Sequence, residues 1–135
     1  MKIKESLLAQ IHQHLEAGYP HEACGVMLGN GGVVMEIARA DNKREDSAHN
    51  RYLIDPLAYR DIERAADKRS IQVIGIYHSH PDVAALPSQF DLDSAFPNLT
   101  YLIISVCQGK AVESKAWVLR DDRSQFDQEP IEFFS

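Results

Sequence analysis

The chain has 135 residues, 44% hydrophobic and 25% charged, and its 20 acidic and 14 basic residues give a net charge of −6. That length predicts one domain over residues 1–135 with a core of its own, and the acidic balance argues against a nucleic-acid partner, which requires a basic face. No apolar run reaches the ~20 residues of a membrane span, and Met1–Ser6 leads into a stretch broken by Gln10, His12, Gln13 and His14 rather than a secretory signal, so a cytoplasmic setting is expected.

Leu7, Leu8, Ile11 and Leu15 recur at helical spacing and predict an amphipathic helix over Ile3–Ala17, stopped by Gly18-Tyr19-Pro20. Ala23–Leu28 reads as a buried strand. Gly29-Asn30-Gly31-Gly32 reads as a hairpin turn and Val33–Ala40 as the returning strand. The polar stretch Asp41–Asn50 predicts a loop, and Arg51–Ile54 a short strand. Asp55-Pro56 has the form of a helix start, with Asp as N-cap and Pro at the first helical position. That helix runs to about Lys68, with Leu57, Ile62, Ala65 and Ala66 inward. Ile71–Tyr77 is an apolar strand that ends at His78, and Pro81–Pro87 is a loop. Ser88 begins a short helix that ends before Pro97. Thr100–Val106 and Ala111–Leu119 are strands joined by a turn at Gln108-Gly109-Lys110. After a polar stretch, Ile131–Phe134 is available as an edge strand. The pattern predicts a mixed α/β or α+β sheet with few helices.

The chemistry concentrates in residues 74–91. On an extended segment, side chains two apart point to the same side, so His78 and His80 can reach one metal ion. Asp91 supplies a third ligand, one turn into the helix begun by Ser88. Two histidines and a carboxylate leave a fourth tetrahedral position for water, as a catalytic zinc requires. With no Cys-x-x-Cys, zinc must be held by His and carboxylate. Cys24 and Cys107 are expected as unpaired, small buried hydrophobes. Ser88-x-x-Asp91 is also a common helix-capping pattern. An activated water needs a general base, and Asp82, Asp93 and Glu22 are the candidates. Spacing alone does not choose among them.

Glu22, His78-Ser79-His80-Pro81 and Ser88-Gln89-Phe90-Asp91 together resemble the signature of the JAMM/MPN zinc metalloproteases. The flanks, His21-Glu22-Ala23-Cys24-Gly25, Gly75-Ile76-Tyr77 and Tyr101–Ser105, are similar too, and the resemblance covers nearly the whole chain in the manner of a short prokaryotic branch. It implies a curved mixed β-sheet flanked by helices, of cytidine deaminase-like architecture. It implies Zn²⁺ on His78, His80 and Asp91, Glu22 as general acid/base and Ser88 as donor to the oxyanion. The substrate it implies is the peptide or isopeptide bond after the C-terminal Gly-Gly of a ubiquitin-like sulfur-carrier protein. The loop 41–50 and Arg51–Ile54 are the expected walls of the groove for that tail, which could add as a strand. The competing expectation is a non-catalytic scaffold of the same fold that binds a partner without metal.

Overall fold

A strand buried on both faces needs a neighbour on each edge and a layer over each face. That requirement fixes the place of β4 (Gln72–Pro81), which is buried from Gly75 through His80. The computed structural model describes residues 1–40, 52 and 54–135. In it β4 pairs antiparallel with β2 (Cys24–Asn30) and parallel with β5 (Thr100–Cys107). The other elements are β1 (Lys2–Lys4), α1 (Glu5–Gly18), β3 (Val33–Ala40), α2 (Pro56–Lys68), α3 (Gln89–Ser94), β6 (Lys110–Leu119), β7 (Phe126–Glu129) and β8 (Glu132–Phe134). The strands form one mixed sheet in the order β7-β6-β5-β4-β2-β3-β1-β8. The curved mixed sheet with flanking helices is the expected fold.

The sheet curls strongly. β7 and β8 end opposite sides of the strand order, yet only Pro130 and Ile131 separate them. Three Cα steps span at most about 11 Å, so the two edges approach each other. α1 fills the inside of the curl, where Ile11 and Leu15 meet Ile3, Met27, Val34, Tyr77, Leu102 and Ala116 from six strands. α2 covers part of the outer face, with Tyr59, Ile62 and Ala66 against Val26 and Leu28. Alternation along β4 sends Tyr77 and Ser79 inward, toward α1, and Ile76, His78 and His80 outward, toward α2 and α3.

Several boundaries differ from expectation. Ile3 lies in β1, not in the first helix, because Lys2–Lys4 pairs in parallel with both β3 and β8. Gly29 and Asn30 stay in β2 beside a bulge, and the turn is Gly31-Gly32 alone, both at positive φ (58° and 76°), as a tight hairpin requires. β4 runs through both histidines instead of ending before them. On α2 the inward stripe is Tyr59-Ile62-Ala66. Leu57, in the first turn, is 62% exposed, and Ala65 also faces solvent. The polar tail contributes β7 as well as the expected edge strand, β8. The predicted loop Asp41–Asn50, and Arg51 and Leu53 of the predicted strand, lie outside the described residues. Tyr52 has no regular structure and Ile54 is a single bridge residue. Neither cysteine is in a disulfide, and Cys24 is buried while Cys107 is partly exposed. Among the described residues no helix is long and apolar enough to cross a membrane.

Gly25 of β2 lies against the ring of Tyr77 on β4, where a methyl group would overlap the ring. Tyr77 is pinned from its far end by the bond between its hydroxyl and His14 Nδ1, 2.7 Å long. Gly25→Ala is therefore expected to lower stability by about 1–3 kcal/mol, as overpacking does in a filled core, read from the midpoint of urea unfolding.

Candidate metal centre

His78 and His80 belong to a strand bonded on both edges. In register, His78 faces Cys24 on β2 and Ile103 on β5, and His80 faces Ser105 on β5. Asp91 comes from a local device. Ser88 caps α3, its Oγ accepting the Asp91 N–H at 3.1 Å, while Asp91 Oδ2 accepts the Ser88 N–H at 2.9 Å. This reciprocal capping box turns the carboxylate toward β4. The result is a buried group in which His78 Nε2 lies 3.2 Å from Asp91 Oδ1, His80 Nε2 3.0 Å from Asp91 Oδ2, and the two Nε2 atoms 3.2 Å apart.

The hydrogen-bond inventory of this group is compatible with a bound cation. His80 Nδ1 lies 3.0 Å from the Ala84 carbonyl oxygen, which can only accept, so Nδ1 carries the proton. A neutral His80 then presents its Nε2 lone pair to a carboxylate oxygen and a second imidazole. A proton on His80 relieves this in part. Burial opposes that proton, but the bonds to Asp91 and Ala84 and the charges of Asp91 and Glu22 outweigh it and raise the pKa. His78 is fully buried, and burial pulls its pKa down despite Asp91. Burial also opposes ionisation of Asp91, yet the bonds from both histidines hold it far below the usual carboxylate range. A metal ion satisfies all three residues at once. Their ligand atoms lie within 4.8 Å of one another, and the donor set of two imidazoles and a carboxylate suits a transition-metal ion.

Glu22 is buried, at 6% exposure, and is not among the three converging ligands. It enters the site through Ser79, the residue between the histidines. Ser79 points to the other face, and its Oγ accepts the Ala23 N–H at 3.0 Å while its own N–H donates to the Ala23 carbonyl at 3.0 Å. The chain just after Glu22 is thus clamped to β4 between the two histidines, and the charge of Glu22 contributes to the raised pKa of His80. The other two candidate bases are exposed. Asp82 accepts from the Tyr19 hydroxyl and the Gln108 N–H, each at 2.8 Å, and Asp93 accepts from Gln89 at 2.8 Å. Ser88 is exposed, and because its Oγ accepts in the cap, its O–H proton can be donated outward.

Three contributors were not anticipated from the sequence. Ser79 is one. The carbonyl of Ala84 is another, held in place because its loop is tied down around it. The Asp82 N–H donates to Val106 O at 2.8 Å and Ser105 Oγ to Val83 O at 2.6 Å, and Trp117 Nε1 donates to Ala85 O at 3.1 Å. The third is Tyr52, whose ring stacks on His78 with centroids 4.4 Å apart and 26° between planes. Burial, with the charges of Asp91 and Glu22 among the lesser causes, pushes its hydroxyl pKa well up. Nothing in the local sequence marks a backbone carbonyl or a lone tyrosine beside a polar loop.

Comparison with known proteins places the chain in a family. A probable TtuB-protein conjugate cleaving protease of Thermus thermophilus is 32% identical over 101 residues, covering 75% of this chain and 67% of the relative. A desampylase of Haloferax volcanii is 30% identical over 105 residues, covering 76% and 75%. A Desulfitobacterium hafniense protein solved in solution superposes with a TM-score of 0.84 at 28% identity, over 99% of this chain and 92% of that one. A JAB1/MPN domain protein from Archaeoglobus fulgidus shares the fold, with a TM-score of 0.65 at 19% identity over the full length of both. The family of prokaryotic homologs of the JAB domain matches residues 4–120, more than half of the sequence, and the chain belongs to that family.

Proposed function

We propose that this protein is a zinc metallopeptidase that hydrolyses the peptide or isopeptide bond after the C-terminal Gly-Gly of a ubiquitin-like sulfur-carrier protein. The observation that carries the reading is the convergence of His78, His80 and Asp91, whose donor atoms face one another at 3.0–3.2 Å in a buried pocket. Two imidazoles and one carboxylate are a donor set that zinc takes in catalytic sites, whereas calcium takes oxygen ligands. The relatives named as a conjugate-cleaving protease and a desampylase support the substrate class. That Cys24 and Cys107 form no disulfide is in keeping with a reducing, cytoplasmic setting.

His78, His80 and Asp91 would hold the ion and leave one position open. A zinc ion held there would supply Lewis acidity for the scissile carbonyl and the attacking water. Glu22 takes a proton from the attacking water and returns it to the leaving amine, so that the amine departs neutral. Ser88 donates its Oγ–H to the oxyanion as the carbonyl becomes tetrahedral. Ser79 positions Glu22, through Ala23, against the strand that carries both histidines. The stack of Tyr52 on His78 keeps water from one face of that ligand.

His80→Ala is expected to lose the metal and all turnover. Glu22→Gln is expected to keep the metal and lose turnover by about 10²–10⁴-fold. Elemental analysis beside cleavage of a linear Gly-Gly fusion separates the two, and a metal-free, inactive wild type would return the chain to the scaffold reading. Ser88→Ala is expected to retain metal while kcat falls about 10²–10³-fold, with a loss of about 1 kcal/mol of stability from the missing cap. Ser79→Ala, which leaves the buried Ala23 N–H unpaired, is expected to keep the metal and lower kcat about tenfold at unchanged KM. Ser79→Thr, which retains the acceptor, is expected to restore it. Equal losses in both variants would show that Ser79 serves packing and not the placement of Glu22.

A further inference from the structure

Alongside the metal centre runs a groove that the chemistry above does not use. Its volume is about 710 Å³, and its walls include Tyr52, Tyr59, Ile76, Phe90, Phe96 and Tyr101. Among the described residues no charged side chain lines it, in a chain that is 25% charged. Ile76 and Tyr101, neighbours in the β4–β5 register, form its floor. The start of α2 walls one side, and α3 with the turn after it walls the other. Phe96 forms part of the rim with 63% of its surface exposed. Its backbone is nevertheless fixed, since the Phe96 N–H donates to the Tyr101 hydroxyl at 2.8 Å. Continuous with the largely apolar lining beneath it, this exposed ring completes a contiguous apolar surface of the kind that meets a ligand.

The groove is continuous with the metal centre. Tyr52 lines it and stacks on His78 at 4.4 Å, and Phe90 lines it one residue before Asp91. The distance between groove and ligands is set by the strand. Ile76 lies one same-face step before His78, about 6.6 Å along β4. An extended peptide has the same repeat, so a side chain over Ile76 belongs to the residue two positions upstream of the carbonyl held at the metal centre. In a tail that ends in Gly-Gly, that is the residue just before the diglycine, and it is the first upstream residue with a side chain. We infer that the groove is a specificity subsite for a large apolar side chain at the position immediately preceding the substrate's diglycine, with Phe96 and Tyr59 as specificity-determining residues. The inference rests on the peptidase reading above and deepens it.

The test uses linear fusions carrying Leu, Ser or Asp before Gly-Gly, with the wild-type protein and Phe96→Ser. Wild type is expected to cleave the Leu fusion with a kcat/KM at least about tenfold above the Ser fusion, the range apolar pockets provide, and the Asp fusion more slowly still. Phe96→Ser is expected to erase most of the Leu preference, leaving the Ser fusion and the melting temperature unchanged. Equal rates on all three fusions, or an equal loss on all three in Phe96→Ser, overturns the subsite. A second arm titrates free peptides ending in Leu-Gly-Gly or Ser-Gly-Gly into labelled protein and follows amide shifts at Tyr59, Phe96 and Leu99. Shifts for the Leu peptide with no fusion cleaved would sink the peptidase reading and uphold the subsite. Cleavage with no groove shifts and no preference would do the reverse.

Discussion

The placement of β4 between two bonded neighbours is the constraint on which the site depends. A strand at a sheet edge could fray or slip, and a slip of one residue would send His78 and His80 to the face packed against α1. Antiparallel bonds to β2 and parallel bonds to β5 prevent this. They also bring together parts distant in sequence, since Glu22 reaches the histidines only because β2 lies against β4. Burying two imidazoles and two carboxylates in one place is unfavourable. The opposite face of the same strand offsets that cost, with Tyr77 packed in the core around α1.

The ligands are held by means of different reach. Asp91 is oriented within one helical turn, by a capping box that any short helix could carry. His80 is oriented by a carbonyl at Ala84, and that carbonyl depends on a loop tied to β5 and β6 by several separate bonds. His78 is oriented by an aromatic stack. A substitution on β6, such as at Trp117, could therefore reach His80 without touching any residue of the site, whereas Asp91 responds chiefly to changes at Ser88.

This difference in reach also accounts for what could be read from the sequence. The His-Ser-His-Pro run, the Ser88 cap and the Asp55-Pro56 helix start are local, and local rules placed them. β1 and β7 escaped because a strand of three or four residues such as Lys2–Lys4 or Phe126–Glu129 takes its identity from distant partners, here β3, β8 and β6. The face of α2 was misjudged because Leu57 is apolar but sits in the first turn, ahead of the stripe Tyr59-Ile62-Ala66 that meets the sheet. Spacing could not separate Glu22 from Asp82 and Asp93. The structure leaves Asp82 and Asp93 exposed, buries Glu22, and clamps the chain just after Glu22 to β4 through Ser79 and Ala23, which supports the proposal of Glu22.

The outer face of β4 changes character in one step. Ile76 is apolar and belongs to the groove, and His78 and His80 are the proposed ligands of the ion. All three project from one rigid strand at a fixed repeat of about 6.6 Å. Recognition and chemistry on separate flexible loops would shift relative to each other, and binding energy gained in the groove would be spread over many placements of the scissile bond. On a single strand, the same contact that seats a side chain over Ile76 also sets how far along the tail the carbonyl lies. Such coupling favours the reacting geometry over other bound ones, which is how remote binding energy contributes to rate and not to affinity alone. Tyr52, in contact with both the groove and His78, is the side chain through which a poorly fitting substrate would disturb the metal centre.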